Sequence, residues 1–168
     1  GDESVQFHSV LEGHGTSCAL ITSGDGYANG QLVGMAPKSK LYAFLLDAIG
    51  QDVYSLDMFI RMFLKARDLG VDAISISWGF ATADLAGSRF FSTFLDKEIA
   101  SHGIVVGIAA GNEGPGIESA DADDYIPKHG FGVGAMITKT QSESVYGWIG
   151  ETEDSVIWYS SHGPTGGG

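Results

Sequence analysis

The sequence contains one cysteine, few basic residues and no long apolar run. With only Cys18 available, an internal disulfide framework is excluded. Lys and Arg together number 9 against 21 Asp and Glu, which gives a net charge of −12 at pH 7. This charge repels nucleic-acid phosphates and anionic lipid, so we expect no nucleic-acid and no membrane partner. No apolar stretch approaches the roughly 18 residues that a membrane-spanning helix needs.

The chain does contain the apolar and aromatic side chains of a packed interior. Hydrophobic residues make up 43% of its 168 residues and include nine Phe, six Tyr and three Trp. This composition favours a globular domain over a disordered chain. We therefore expect one domain, or a large piece of one.

Apolar strand patterns alternate with helical patterns along most of the sequence. Helices are predicted over 14–23, 55–69 and about 90–99, the last two ending near Gly70 and Gly103, and a glycine-rich loop is predicted over 24–30. Strands are predicted over 40–46, 72–77, 104–109, 131–137 and 156–159. The alternation of strand and helix predicts an α/β fold with a parallel sheet.

Two short motifs carry residue types suited to acyl transfer. His14 stands between glycines at a predicted helix start, and Asn112 stands on a glycine-rich turn after a predicted strand. Ser77 ends another predicted strand, and ligands bind at the carboxyl ends of strands in open parallel sheets. Taken singly, His14 also fits a structural role at a helix terminus, and Asn112 fits a simple turn. Together they fit the general base and the oxyanion donor of a serine peptidase.

The chain resembles the subtilisin-like serine peptidases, or subtilases, in five motifs that follow the family order. The motifs are Gly13-His14-Gly15-Thr16, Gly34-Met35-Ala36-Pro37, Ser75-Ile76-Ser77-Trp78-Gly79, Ala109-Ala110-Gly111-Asn112-Glu113-Gly114-Pro115 and Ser160-Ser161-His162-Gly163-Pro164. An ordered set of this kind is far more specific than any one motif alone. The resemblance implies a subtilisin-like, three-layer α/β/α fold with a mainly parallel sheet. It also implies hydrolysis of peptide bonds by a Ser-His-Asp mechanism.

The resemblance assigns a role to each matching residue. His14 is the general base, and Asn112 donates its side-chain N–H to the oxyanion. The residues implied to bind substrate, as an added strand and as the wall of the primary specificity pocket, are Ser77, Trp78, Gly79, Ala109, Ala110 and Gly111. Cys18, one helical turn after His14, is either a small core residue or a thiol beside the base.

Two family motifs, the D-S-G or D-T-G of the aspartate and the G-T-S-M-A of the serine, have no counterpart in these residues. We therefore interpret 1–168 as the central part of a catalytic domain, lacking the aspartate strand and the serine helix and inactive by itself. One alternative is a pseudopeptidase that keeps the fold and binds peptides, although an intact His14 and Asn112 count against it. Another is an unrelated flavodoxin-like domain that holds an anion at 107–116, although no basic residue lies there.

The resemblance also implies partners and a location. It implies a peptide or protein substrate, an inhibitory propeptide and an extracellular setting, with no cofactor required for catalysis. Structural calcium stays open at two places, the loop with Asp25 and Asn29 and the cluster of Asp121, Asp123 and Asp124. A solvated surface loop is the alternative at both places, so no metal site is assigned.

Overall fold

The computed structural model describes residues 13–44, 56–78, 85–117, 119–120, 127–148 and 153–163. The chain divides into two compact units, Gly1–Asp52 and Val53–Gly168, which are described in turn. Within the ranges just given, no helix combines the length and the apolar character needed to cross a bilayer.

The first unit contains a helix followed by a two-stranded hairpin. Helix α1 spans His14–Ser23, as predicted, and none of its side chains is buried. Strands β1 (Asp25–Ala28) and β2 (Gln31–Val33) pair antiparallel. Backbone hydrogen bonds join the end of the hairpin to the helix, since the Met35 N–H donates to the Ile21 carbonyl at 2.9 Å.

Two predictions for this unit are wrong. Residues 24–30, predicted as a loop, form much of the hairpin, because Asn29 and Gly30 take φ values of 53° and 78° that suit a two-residue turn. Residues 40–44, the described part of the strand predicted over 40–46, pair with no other described strand, and Leu41 is 48% exposed. An apolar run becomes a strand only where a neighbouring strand offers its backbone groups, and apolar spacing carries no information about that neighbour.

The second unit is built on a parallel sheet with the strand order β3–β4–β5. The three strands are β3 (Ala73–Ile76), β4 (Val105–Ala109) and β5 (Phe131–Val133). Ser75 pairs with Gly107 across the first two strands, and all neighbouring strands run in the same direction. The predicted α/β fold with a parallel sheet is confirmed, as are the strands predicted over 72–77 and 104–109.

Helices connect and flank these strands. The helical segments are α2 (Leu56–Asp68), α3 (Leu85–Phe94), a π-helical turn (Leu95–Ile99) and a short 3₁₀ turn (Ala100–His102). The helices predicted over 55–69 and 90–99 are therefore confirmed, the second with an earlier start. Each run ends at the predicted glycine, because Gly70 and Gly103 adopt left-handed φ values of 70° and 81°.

The core of the second unit is aromatic and aliphatic. Val106 and Ile108 on β4 are 0% and 2% exposed, whereas Val105 on the opposite face is 50% exposed. The ring of Phe63 on α2 meets the ring of Phe91 on α3 edge to face, with their centroids 5.4 Å apart. One face of the sheet is thus buried, and aromatic contacts join the two helices to each other.

The remaining elements form a small antiparallel pair. Strands β6 (Met136–Ile137) and β7 (Ser155–Val156) pair with each other. Between them in the sequence lie helix α4 (Lys139–Gln141) and a π-helical turn (Ser142–Tyr146). The prediction of one strand over 131–137 is wrong, because this segment is split between β5 and β6. The strand predicted over 156–159 is also too long, because the chain turns at 158–160 and the Ser160 N–H bonds to the Ile157 carbonyl at 2.9 Å. We refer to residues 158–162 as the serine turn.

Candidate active site

Predicted site residues in the second unit lie at the carboxyl edge of the parallel sheet. Ile76 pairs in register with Ile108, so Ser77 and Ala109 take the next positions on neighbouring strands. Because parallel strands end at a common edge, Ser77 and the loop that follows Ala109 lie side by side. Gly79, which is also predicted to bind substrate, lies outside the described residues.

The loop after β4, residues 110–114, presents Asn112 and is called the asparagine loop below. It starts on the sheet, because the Ala110 N–H donates to the Val133 carbonyl of β5 at 2.9 Å. Ala110 and Gly111 are half-buried, whereas Asn112 is exposed. An accessible carboxamide N–H on an anchored loop is what a donor to a developing oxyanion requires.

The serine turn holds the asparagine loop from the other side. The Ser161 N–H donates to the Gly111 carbonyl at 3.1 Å, and the Ser161 Oγ accepts from the Glu113 N–H at 2.9 Å. A third hydrogen bond runs from the Gly114 N–H to the Tyr159 carbonyl, at 3.0 Å. The backbone on each side of the asparagine is therefore tied to one turn.

This contact requires a glycine and two buried serines. A Cβ atom at Gly114 would collide with the carbonyl oxygen of Ser160. The Ser160 Oγ accepts from the Ala135 N–H at 2.9 Å, and Ser160 and Ser161 are only 1% and 6% exposed. The sequence places these serines in a family motif but does not reveal their structural role. A pair of adjacent serines does not by itself predict such a role, because the sequence does not show that these serines are buried.

Trp78 packs partly against the core and is partly exposed at the carboxyl edge of the sheet. Its indole stacks on the Phe59 ring with centroids 4.4 Å apart and lies 6.4 Å from the Phe91 ring. The side chain is nevertheless only half-buried. One face of the indole therefore anchors the end of β3, and only the remaining surface is available to a ligand.

His14 lies in the first unit, whereas the other described site residues lie in the second. It is the first residue of α1 and is exposed. The Cys18 Sγ lies 3.9 Å from its Nε2 and 4.0 Å from its Nδ1. Cys18 is itself half-buried, which favours the alternative of a thiol beside the histidine over that of a buried core residue.

Asp96 fixes the turn that leads into β5. Its carboxylate accepts hydrogen bonds from the backbone N–H groups of Lys128 and His129, at 3.1 and 3.0 Å, and lies 3.2 Å from the His129 Nδ1. Burial by itself would raise the pKa of Asp96, but the hydrogen bonds from His129 and Lys128 outweigh it and lower the pKa below its usual value. Because β5 receives the Ala110 N–H, this turn supports the base of the asparagine loop.

The described residues provide no set of ligands that would support either of the two calcium sites left open by the sequence. Asp25 is part of β1 and Asn29 occupies the hairpin turn. The described ranges contain no cluster of three or more His, Cys, Asp or Glu that could hold a metal ion. The predicted cluster of Asp121, Asp123 and Asp124 lies outside those ranges.

A sequence model of the Subtilase family matches residues 5–166, almost the whole chain. A subtilisin of Bacillus pumilus is 40% identical over 102 residues, which cover 60% of this chain and 34% of that protein. The subtilisin-like protease SBT3 of Solanum lycopersicum is 36% identical over 122 residues, which cover 64% and 15% of the two chains. The tripeptidyl-peptidase 2 of Caenorhabditis elegans is 27% identical over 152 residues, which cover 90% and 11%.

These matches decide between the fold alternatives but cover only part of each relative. The chain spans 15% of the tomato protease, 11% of the nematode peptidase and 34% of the Bacillus subtilisin. The subtilisin-like α/β fold is confirmed by the family match, and the flavodoxin-like alternative is wrong.

Proposed function

This chain belongs to the subtilase family, and on that premise we propose that it is part of a serine endopeptidase with a Ser-His-Asp mechanism. The nucleophilic serine and the aspartate would come from parts of the protein beyond these residues. The chain contributes the general base, the oxyanion donor and the strand that holds the substrate. A serine attacks the scissile carbonyl, and an acyl-enzyme forms and is then hydrolysed by water.

His14 is the general base of this proposal. It would take the proton of the serine hydroxyl during attack and then give it to the leaving amine. Its exposed position at the start of α1 supports the assignment, because the ring is accessible to a substrate.

Asn112 is the oxyanion donor, and the observation that carries the proposal is the way its loop is held. The side chain is exposed, but the loop is bonded to β5 through Ala110 and to the serine turn through Gly111 and Glu113. A donor whose position is fixed before the reaction stabilises negative charge without reorganisation, which is the main electrostatic contribution in such enzymes.

The edge of β3 is proposed to hold the substrate backbone. In the described sheet β3 is an outer strand, so its backbone groups on one side have no strand partner. An extended peptide would add beside Ser77, Trp78 and Gly79, with main-chain hydrogen bonds that depend little on sequence. Residues 109–111 would form the wall of the pocket for the side chain next to the scissile bond.

The remaining parts of the proposal rest on the family. The substrate is a peptide or a protein, catalysis needs no cofactor, and an inhibitory propeptide accompanies an enzyme that acts outside the cell. The alternative, a pseudopeptidase, would bind peptides along β3 without cleaving them. It differs from the peptidase in one chemical property, the presence of an activated serine in the full-length protein.

A fluorophosphonate probe tests this property directly, because it reacts only with an activated serine. We expect the full-length protein to be labelled, and we expect His14→Ala to lower the labelling rate by about 10⁴-fold or more. Losses of this size follow removal of the triad histidine in subtilisin. His102→Ala is the matched control, because His102 is an exposed histidine of the 3₁₀ turn that precedes β4, whereas the proposed site residues of the second unit lie at the other end of that strand.

The outcomes separate the alternatives. Labelling of His14→Ala at the unaltered rate would remove His14 from the mechanism. No labelling of the full-length protein, together with retained binding of a peptide, would favour the pseudopeptidase.

A further inference from the structure

The proposed mechanism assigns no role to the serine turn, although this turn contacts the asparagine loop closely. Ser161 is 6% exposed and makes two of the hydrogen bonds between the two segments. Its own backbone N–H supplies one of them, and its side-chain oxygen receives the other. A substitution of the side chain would therefore remove one hydrogen bond and leave the other in place.

The two hydrogen bonds act on the two neighbours of the asparagine. The Gly111 carbonyl accepts from the Ser161 N–H, and the Glu113 N–H donates to the Ser161 Oγ. Asn112 lies between these two residues, so the backbone on both sides of it is fixed by Ser161 alone. Ser161 is only 6% exposed and has no assigned contact with the substrate in the proposed mechanism, so we expect its effect on catalysis to pass through the asparagine loop.

The serine turn is itself firmly held, so it can serve as a reference point. Ser160, the preceding residue, is 1% exposed, and its Oγ accepts from the Ala135 N–H, two residues after β5. On the other side of Ser161, the His162 N–H donates to the Ser119 Oγ at 3.0 Å. A loop tied to this turn is tied to the sheet at both ends, since Ala110 also bonds to β5.

We propose that Ser161 is a positioning residue that sets the direction of the Asn112 carboxamide. This inference rests on the proposed function, in which Asn112 stabilises the oxyanion. An oxyanion donor must stand about 2.7–3.1 Å from the position of the developing charge, and small displacements weaken the transition state more than the bound substrate. The loss of the Ser161 hydroxyl should therefore lower kcat and leave KM nearly unchanged.

A double-mutant cycle in the full-length protein tests this inference with a tetrapeptide p-nitroanilide that the unaltered protein cleaves. We expect Ser161→Ala to lower kcat about tenfold, with KM changed less than about twofold. Asn112→Ala should lower kcat about 10²–10³-fold, the loss known for the equivalent donor of subtilisin. In the Asn112→Ala background, Ser161→Ala should then cost less than about twofold in kcat, because it has no donor left to position.

Two further variants separate positioning from general stability. Ser161→Thr keeps the hydroxyl and should restore most of the lost kcat. Thr138→Ala is the matched control, because it removes a hydrogen bond of the same kind, from a backbone N–H to a hydroxyl oxygen, at the start of α4 and outside the serine turn, and it should leave kcat unchanged. If Ser161→Ala does not fold, Ser161→Cys, which keeps the volume and weakens the acceptor, takes its place in the same cycle.

The outcomes are distinct. Equal losses from Ser161→Ala in both backgrounds, or a loss confined to KM, would overturn the positioning role and leave the proposed function intact. Full kcat in Asn112→Ala would overturn the oxyanion role, and the positioning role with it.

Discussion

Each of the two units is stabilised internally by a different kind of interaction. In the first unit no side chain of α1 is buried, Ile21 is 68% exposed, and backbone hydrogen bonds join the helix to the segment that follows the hairpin. In the second unit Phe91 and Leu95 are 1% and 0% exposed within an aromatic core. Apolar burial is the larger source of stability, so we expect the described part of the second unit to resist local opening more strongly than α1 and the hairpin of the first.

This difference matters because each unit carries one of the proposed catalytic groups. Asn112 stands on a loop that is bonded to the parallel sheet, and one face of this sheet is buried. His14 stands on a helix that has no buried side chain. The precision of the oxyanion donor can therefore come from the core beneath it. Substitutions in each unit can show how far its stability depends on burial and how far on backbone conformation.

The largest effect is expected from the core of the second unit. Phe91→Ala should lower the free energy of unfolding by about 3–5 kcal/mol, because it removes a buried ring that contacts Phe63 and Phe94. Urea unfolding of the full-length protein, inhibited beforehand to prevent self-digestion, measures the change. Phe90→Ala is the control, since the neighbouring ring is 52% exposed and its loss should cost less than about 1 kcal/mol. Equal costs for the two variants would contradict the assignment of the core.

An intermediate effect is expected from Asp96, which supports the turn before β5 by hydrogen bonds. Asp96→Asn should lower the free energy of unfolding by about 1–2 kcal/mol at pH 7, because two backbone N–H groups lose a charged acceptor. Urea unfolding at a series of pH values measures the change. Asp57→Asn, which removes an exposed carboxylate paired with Arg61 on α2, should leave the urea midpoint unchanged.

The pH dependence of this effect has a definite sign. The folded pKa of Asp96 is lowered, so its contribution is complete above the unfolded pKa of about 3.9 and is lost as the pH falls through the folded pKa. The difference in stability between the unaltered protein and Asp96→Asn should therefore be present at pH 5 and shrink in stronger acid. A difference that grows below pH 4 would mean that the carboxylate is not stabilised in the folded state.

Sequence patterns predicted the second unit better than the first, and burial explains why. Phe59 and Phe63 on α2 repeat at helical spacing because one face of that helix is buried, and the pattern predicted the helix. Strand β4 was predicted for the same reason. In the first unit the hairpin depends on the φ values of Asn29 and Gly30, a local signal that apolar spacing does not contain.

The candidate site was predictable only in part. The family motifs identified the asparagine and the ends of β3 and β4, because these residues stand in short contiguous runs. The support of the loop could not be predicted in this way, since the Glu113 N–H bonds to a serine 48 positions further along the chain. Contacts of such long sequence separation follow from the way the strands pair, and neither residue type nor spacing reports them.

The smallest effect is expected in the hairpin of the first unit, where conformation alone is at issue. A Cβ at Gly30 meets no atom within 4 Å, so Gly30→Ala should cost about 1 kcal/mol only because its φ of 78° disfavours a side chain. Hydrogen exchange of the Gly34 amide, which donates to the Gly24 carbonyl at the open end of the hairpin, should become about fivefold faster. Gly15→Ala is the matched control, because Gly15 lies in α1 with equally open space around its Cα and no positive φ. Alanine should leave the hairpin amide unaffected there or protect it slightly, since it favours the helix. Equal acceleration by both variants would mean that the hairpin depends on the helix rather than on its own turn.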